Sequence, residues 1–333
     1  MEKIDFVILW VDGSDPVWLE EKKKYKPDLD IVDAANRYRD WDNLKYWFRG
    51  VEKFAPWVNN IYFVTYGHLP KFLNTNHPKL KIINHKDIID NRYLPTYNSS
   101  GIEVNIFKIK DLSEHFVYFN DDVFLTKEVK PTDFFVNGLP CDEFSENVIG
   151  PSQDIFTNLL FNNVSIISKY FNKKDSKKKL KGKYYNIKYG KNNIRTLLLS
   201  PYKYFVGFMD PHVSQAYLKS SFEKVYELEK DEFENTSSHK FRDKTDITQY
   251  LVRYYQLLSG DFSPRKSSFG KCFDITDDNK NTIVNHILNH ILNHKYKTIC
   301  INDSNTNFDF EKAKQDINNA FEKILPEKSS FEK

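Results

Sequence analysis

Cysteine is scarce in this sequence. Three residues, Cys141, Cys272 and Cys300, stand among 333. Their wide spacing forms neither a Cys-x-x-Cys metal knuckle nor an even disulfide framework, which excludes a disulfide-stapled scaffold and fits a reducing, cytoplasmic setting. An excess of one charge is also missing. The 49 basic and 46 acidic residues leave a net +3, too balanced for a dedicated nucleic-acid binder, so no nucleic-acid partner is expected and any basic attraction must be local. No apolar stretch approaches the roughly 20 residues that cross a bilayer. The start, Met1-Glu2-Lys3-Ile4-Asp5, lacks the basic and apolar regions of a signal peptide. The expectation is a protein in solution, or one held to the inner face of a membrane only at its surface.

Aromatic residues, by contrast, are abundant. Twenty-seven Phe, 20 Tyr and 5 Trp sit within a 40% hydrophobic chain, enough for a sizeable core. Phe6-Val7-Ile8-Leu9-Trp10-Val11 is a continuous apolar run stopped by Asp12-Gly13-Ser14-Asp15-Pro16, the pattern of a buried strand opening into a polar turn. Residues 61–66, 80–83, 116–119 and 298–301 read as further short strands. Leu44, Trp47, Phe48 and Val51 have helical spacing, and Ile102, Ile106, Ile109 and Leu112 predict a second amphipathic helix. Residues 211–229, 245–259 and 281–294 also read as helical. This alternation predicts an α/β fold with a mostly parallel, Rossmann-like (GT-A-like) sheet flanked by helices. Residues 142–200 break the rhythm and carry a lysine-rich stretch from Lys173 to Lys183. They are expected to form a central insertion with a mobile lysine-rich loop, between a first α/β half (1–141) and the second half of the core (201–310). A C-terminal helix or tail (311–333) follows.

Several residue groups could carry chemistry. In Trp10-Val11-Asp12-Gly13-Ser14-Asp15 a strand-end glycine lets a ligand approach the backbone, and two carboxylates could engage a metal or ribose hydroxyls. A self-bonded turn explains the same residues. Asn120-Asp121-Asp122 directly follows a strand, which sets adjacent carboxylates at a sheet edge where diphosphate-bound Mg²⁺ is often held. Ser100 and Glu103 have the spacing of a capping box. Pro211-His212 and Ser238-His239-Lys240-Phe241-Arg242 offer a proton acceptor and a cation for phosphate oxygens. His286, His290 and His294 form a ladder beside an apolar stripe, where packing explains them better than a metal does.

Taken in order, these segments resemble the conserved regions of the Stealth family, which includes bacterial capsular polysaccharide phosphotransferases and the catalytic subunit of the lysosomal-enzyme GlcNAc-1-phosphotransferase. Residues 4–15 are similar to its first region. The second runs from Arg37-Tyr38-Arg39-Asp40 to Asn120-Asp121-Asp122-Val123. The third is matched by Pro211-His212 and Ser238 to Asp246, and the fourth by Ile299-Cys300-Ile301-Asn302-Asp303. The resemblance implies that Glu103, Asp122, His212 and Arg242 stand at catalytic positions, so a cap would not exhaust the role of Glu103. It further implies transfer of a hexose-1-phosphate from a UDP-sugar to a polysaccharide or lipid-linked oligosaccharide hydroxyl, with release of UMP. On this reading the Trp10–Asp15 loop cradles the nucleotide. Asp122, helped by Asp121 or Asp303, holds Mg²⁺ or Mn²⁺, Arg242 binds phosphate and His212 accepts the proton, although Asp122 could instead be the base. The residues themselves leave two rivals open: a metal-dependent glycosyltransferase releasing UDP, and a non-catalytic polysaccharide-binding module. The lysine-rich stretch could meet anionic lipid or a charged acceptor.

Overall fold

Strand β1 (Ile4–Trp10) leads through a polar turn into α1 (Pro16–Tyr25). There follow α2 (Leu44–Phe54), β2 (Ile61–Thr65), β3 (Leu80–Asn84), a single turn α3 (Ser99–Glu103), β4 (His115–Phe119) and β5 (Val123–Leu125). The middle of the chain holds α4 (Pro131–Phe134), β6 (Phe135–Val136), β7 (Leu139–Asp142), α5 (Ile155–Ile167), α6 (Lys173–Leu180) and α7 (Asn192–Leu199). The last part holds β8 (Gln215–Leu218), α8 (Lys219–Leu228), α9 (Lys230–Ser238), α10 (Tyr250–Ser259), β9 (Ser263–Pro264), β10 (Gly270–Ile275), α11 (Lys280–Leu292), β11 (Thr298–Asp303) and α12 (Phe310–Ile324). This computed structural model describes residues 2–27, 40–152, 154–276, 280–303 and 308–333. Arg37, Tyr38 and Arg39 of the sequence motif lie outside the described residues.

The main sheet has the order β3-β2-β1-β4-β8. Its first four strands are parallel, and β8 closes the edge antiparallel to β4. The fold is therefore the mostly parallel α/β sheet that the alternation of patterns predicts. Because successive strand residues face opposite sides, β1 splits its apolar run between two cores. Ile4, Phe6 and Ile8 join α2, α11 and α12 on one face. Val7 joins α5, α8 and α10 on the other. Burial on both faces is why β1 reads as an unbroken apolar run rather than an alternating one. A second sheet, β10-β11-β5, borders the first. It is tied to the main sheet by the short link from β4 to β5.

Several expectations need correction. The predicted helix around Ile102–Leu112 is only α3 plus a 3₁₀ turn at Ile106–Lys108. The segment 211–229 begins not as helix but as strand β8, whose Ala216 and Tyr217 are fully buried. The lysine-rich stretch is not a mobile loop: Lys173–Leu180 is helix α6. Lys173 is itself buried, with Nζ 2.7 Å from Glu146 Oε2. Residues 142–200 also contribute Phe144, Val164, Ile167, Tyr184 and Tyr189 to the core that holds Val7. No described helix is long and apolar enough to cross a membrane.

Candidate active site

Parallel strands align their C-terminal ends, so the turns after β1, β2 and β4 share one edge. From β1 the chain proceeds to β2 on one side, while β4 lies on the other. The edge between β1 and β4 is thus a topological switch point, where connections diverge and leave a crevice for a ligand. Both strand-end motifs open there.

In the turn after β1, local bonding uses much of the polar inventory. Asp12 Oδ1 accepts from the Ser14 amide at 2.9 Å and the Ser14 hydroxyl at 2.6 Å. Asp15 caps α1 by accepting from Val17 and Trp18 amides. The bond from Trp18 outweighs the loss of hydration and, together with that from Val17, keeps the Asp15 carboxyl below its ordinary pKa. His68, from the turn after β2, accepts the Asp12 amide on Nε2 at 2.7 Å and packs edge-on against Trp10. Burial lowers its pKa, which favours the neutral acceptor form. The Trp10–Asp15 loop is therefore a braced turn, and among the described residues its carboxylates belong to no cluster with metal-ligand proximity.

The turn after β4 is different. Tyr118 donates to Asn120 Oδ1 at 2.5 Å, and Asn120 Nδ2 lies 3.1 Å from His212 Nε2. The same nitrogen lies 3.4 Å from Asp122 Oδ2, which accepts from the Cys300 thiol at 3.2 Å. Asp122, His212 and Cys300 form the one cluster of three His, Cys, Asp or Glu residues with metal-ligand proximity among the described residues, their ligand atoms all within 4.8 Å. Asp121 and Asp303 do not complete it. Asp122 Oδ1 is buried without a hydrogen-bond partner among the described residues, a costly arrangement unless something binds there. That orphaned oxygen fits a divalent cation shared with a ligand's phosphates better than an all-protein cage.

His212 has a left-handed backbone, φ 43°, and non-glycine residues in this region tend to persist where surrounding structure holds them. A buried network does so here. Arg253, fully buried, pairs with Asp142 at 2.7 Å and with Asp210 at 2.7 Å, and donates to Met209 O. Tyr254 also donates to Asp210. Loss of hydration pulls His212 down, but the charge of Asp122 and their hydrogen bond prevail and raise it to about 9. Pairing with Asp122 thus favours the imidazolium form of His212.

Glu103 ends α3, and the N-cap of that turn is Asn98, not Ser100; the capping-box reading is wrong. Burial pushes the Glu103 carboxyl up to about 7, opposed by the charges of Arg242 and His212 and by the neighbouring Tyr118 hydroxyl. Asp121 is likewise pushed up to about 7, first by lost hydration among surrounding atoms and then by Asp122; its side chain still opens to solvent, which tempers the first effect. Arg242 donates to Ser99 Oγ at 2.7 Å. Asp246 locks these two segments together by accepting from Asn98 at 2.8 Å and from His239 at 2.7 Å. Glu103, Asp122, His212 and Arg242 thereby share one electrostatic neighbourhood, although 139 positions separate the first from the last.

Models of Stealth protein conserved region 1 and conserved region 2 match residues 2–30 and 37–141. Over the full chain, 46% of residues are identical to a capsular polysaccharide phosphotransferase (WcwK) of Streptococcus pneumoniae, covering 100% of this chain and 99% of that protein. The chain belongs to the Stealth family. An exopolysaccharide phosphotransferase (cps2G) of Lactiplantibacillus plantarum is 43% identical, with 99% and 96% covered. The solved glycosyltransferase GlyE of Streptococcus pneumoniae gives a TM-score of only 0.39 at 10% identity, covering 97% of this chain and 62% of that one, too remote to bear on function.

Within this Stealth chain, residue patterns alone missed Cys300, Arg253, Asp210 and Tyr118. Cys300 reads as an apolar strand residue. Arg253 did leave a signal, as one cation between Val252 and Tyr254 in a helix otherwise largely apolar on that side.

Proposed function

We propose that this chain transfers a hexose-1-phosphate, most simply a HexNAc-1-phosphate, from a UDP-sugar to a hydroxyl of a growing surface polysaccharide, releasing UMP. That it is an enzyme of the phosphotransferase kind follows from its family. The observation that carries the finer reading is the convergence of Glu103, Asp122, His212 and Arg242 at the switch-point edge, beside an orphaned carboxylate oxygen. Such transfer depends on in-line positioning and charge stabilisation.

In this reading the acceptor oxygen forms a bond to the β-phosphorus, and the bond from that phosphorus to the bridging oxygen breaks, its electron pair leaving with UMP. Arg242 donates to phosphate oxygens while Ser99 holds its guanidinium. Asp122 Oδ1 would hold Mg²⁺ or Mn²⁺, which supplies charge neutralisation on the diphosphate when bound. His212 takes the hydroxyl proton on Nε2. It can do so once the charge of Asp122 is engaged elsewhere, which lowers the imidazolium's hold on its proton; Nε2 then releases that proton to solvent and turns its free lone pair to the acceptor hydroxyl. Glu103 orients this set through Tyr118. The turn at residues 10–15 borders the nucleotide, residues 142–200 serve the acceptor, and the setting is the cytoplasm.

The leaving nucleotide tests the reaction. Purified protein, several UDP-hexoses, Mg²⁺ and a polysaccharide primer should yield acceptor-dependent UMP that EDTA suppresses. Acceptor-dependent UDP would establish glycosyl transfer instead.

A further inference from the structure

Residues 176–209 contain nine Lys or Arg and no Asp or Glu, in a chain whose total net charge is only +3. Among the described residues none of these nine forms an ion pair with a carboxylate. The same segment displays apolar side chains to solvent. Ile194, Leu197 and Leu198 stand at i, i+3 and i+4 on α7, with 61%, 59% and 72% of their surface exposed. Ile187, Tyr202 and Tyr204 flank them and are also exposed.

An apolar helical stripe ordinarily faces the core. Here the opposite face is the anchored one. Thr196 and Leu199 are buried, Thr196 Oγ1 accepts from the Glu146 amide at 3.1 Å, and Lys173 donates to Leu199 O at 2.7 Å. The outward stripe is therefore held in place. Lys188, Lys191, Arg195 and Lys203 are exposed around it.

We propose that α7 and the turn at residues 201–204 form a platform that seats this enzyme on an anionic lipid surface. Aliphatic side chains enter the headgroup–acyl boundary, tyrosines favour that interface, and the basic ring meets anionic headgroups. A charged polysaccharide would use the cations but gain little from exposed Ile and Leu. Two copies of the platform would bring like charges together, which disfavours a dimer through this face. The inference does not depend on which nucleotide leaves.

The test is co-sedimentation of the full chain with phosphatidylcholine vesicles, with and without phosphatidylglycerol. Binding should require phosphatidylglycerol. The double variant Leu197→Ser with Leu198→Ser should cut bound protein by about tenfold or more, with circular dichroism unchanged. Lys188→Gln with Lys191→Gln should weaken binding and make what remains less sensitive to salt. Absence of vesicle binding, or binding that the serine variant leaves intact, would overturn the proposal. So would a dimer on gel filtration that the serine variant disperses, since the face would then belong to a second copy.

Discussion

Glu103 combines burial with a raised pKa, and the two make opposite demands on stability and chemistry. Its folded pKa of about 7 lies above the ordinary 4.5, so the native state holds its proton more tightly than the unfolded chain does. The resulting stabilisation is complete below pH 4.5 and is lost as pH rises to about 7. Glu103→Gln cannot ionise and should escape this loss. Its melting temperature should match wild type near pH 4.5 and exceed it above pH 7 by several degrees, for a shift of roughly 3 kcal/mol, while turnover falls. A variant no more stable at pH 8 than wild type would contradict the burial cost. His212 gives the complementary case. Asp122→Asn removes the charge that raises its pKa, so the His212 imidazole signal should titrate at lower pH in NMR spectra of the variant, and kcat should drop by about 10²-fold or more. An unchanged titration would separate the two residues.

The element that matters most for His212 is α10, a helix that spacing announces without announcing what its buried cation holds. Arg253 on α10 holds Asp142 from the end of β7 and Asp210 from the segment before His212. Arg253→Met would leave two buried carboxylates without their cation and should destabilise the fold by about 3–5 kcal/mol, read as a lowered urea midpoint. Gly270 makes a similar point at the start of β10. A Cβ there would lie 2.8 Å from Val213 Cγ1 and from Thr298 Cγ2, so Gly270→Ala should cost about 1–3 kcal/mol and disturb the neighbour of His212; an unaltered melting temperature would show that the strands yield. Patterning made β1, β2, β4 and α2 legible because each has a long apolar run or a regular stripe. It misled at β8, where a four-residue strand with three buried residues, set beside a helix, extends the helical pattern. It marked Arg253 only as a lone cation on an apolar side and was silent on its partners, because periodicity reports which face is buried and not which distant carboxylates wait there.

Across the whole molecule, strand alternation made the parallel sheet readable, and the strand-end motifs marked its active edge. Meeting of the site residues was not readable, since Asp122, His212 and Cys300 come from three separated stretches and their approach depends on pairing between strands. β11 pairs with β5 through Cys300 and Val123, and the Ile301 amide donates to the Asp122 carbonyl at 3.0 Å. The last of the described strands thus finishes the wall of a site that residue 122 began. On the ribosome the active edge cannot be complete until residues 298–303 have left the exit tunnel, long after β1 and β4 could have paired. A translation-arrest series should therefore display folded sheet well before it displays turnover, and the interval between the two would measure how late in its own synthesis this enzyme becomes one.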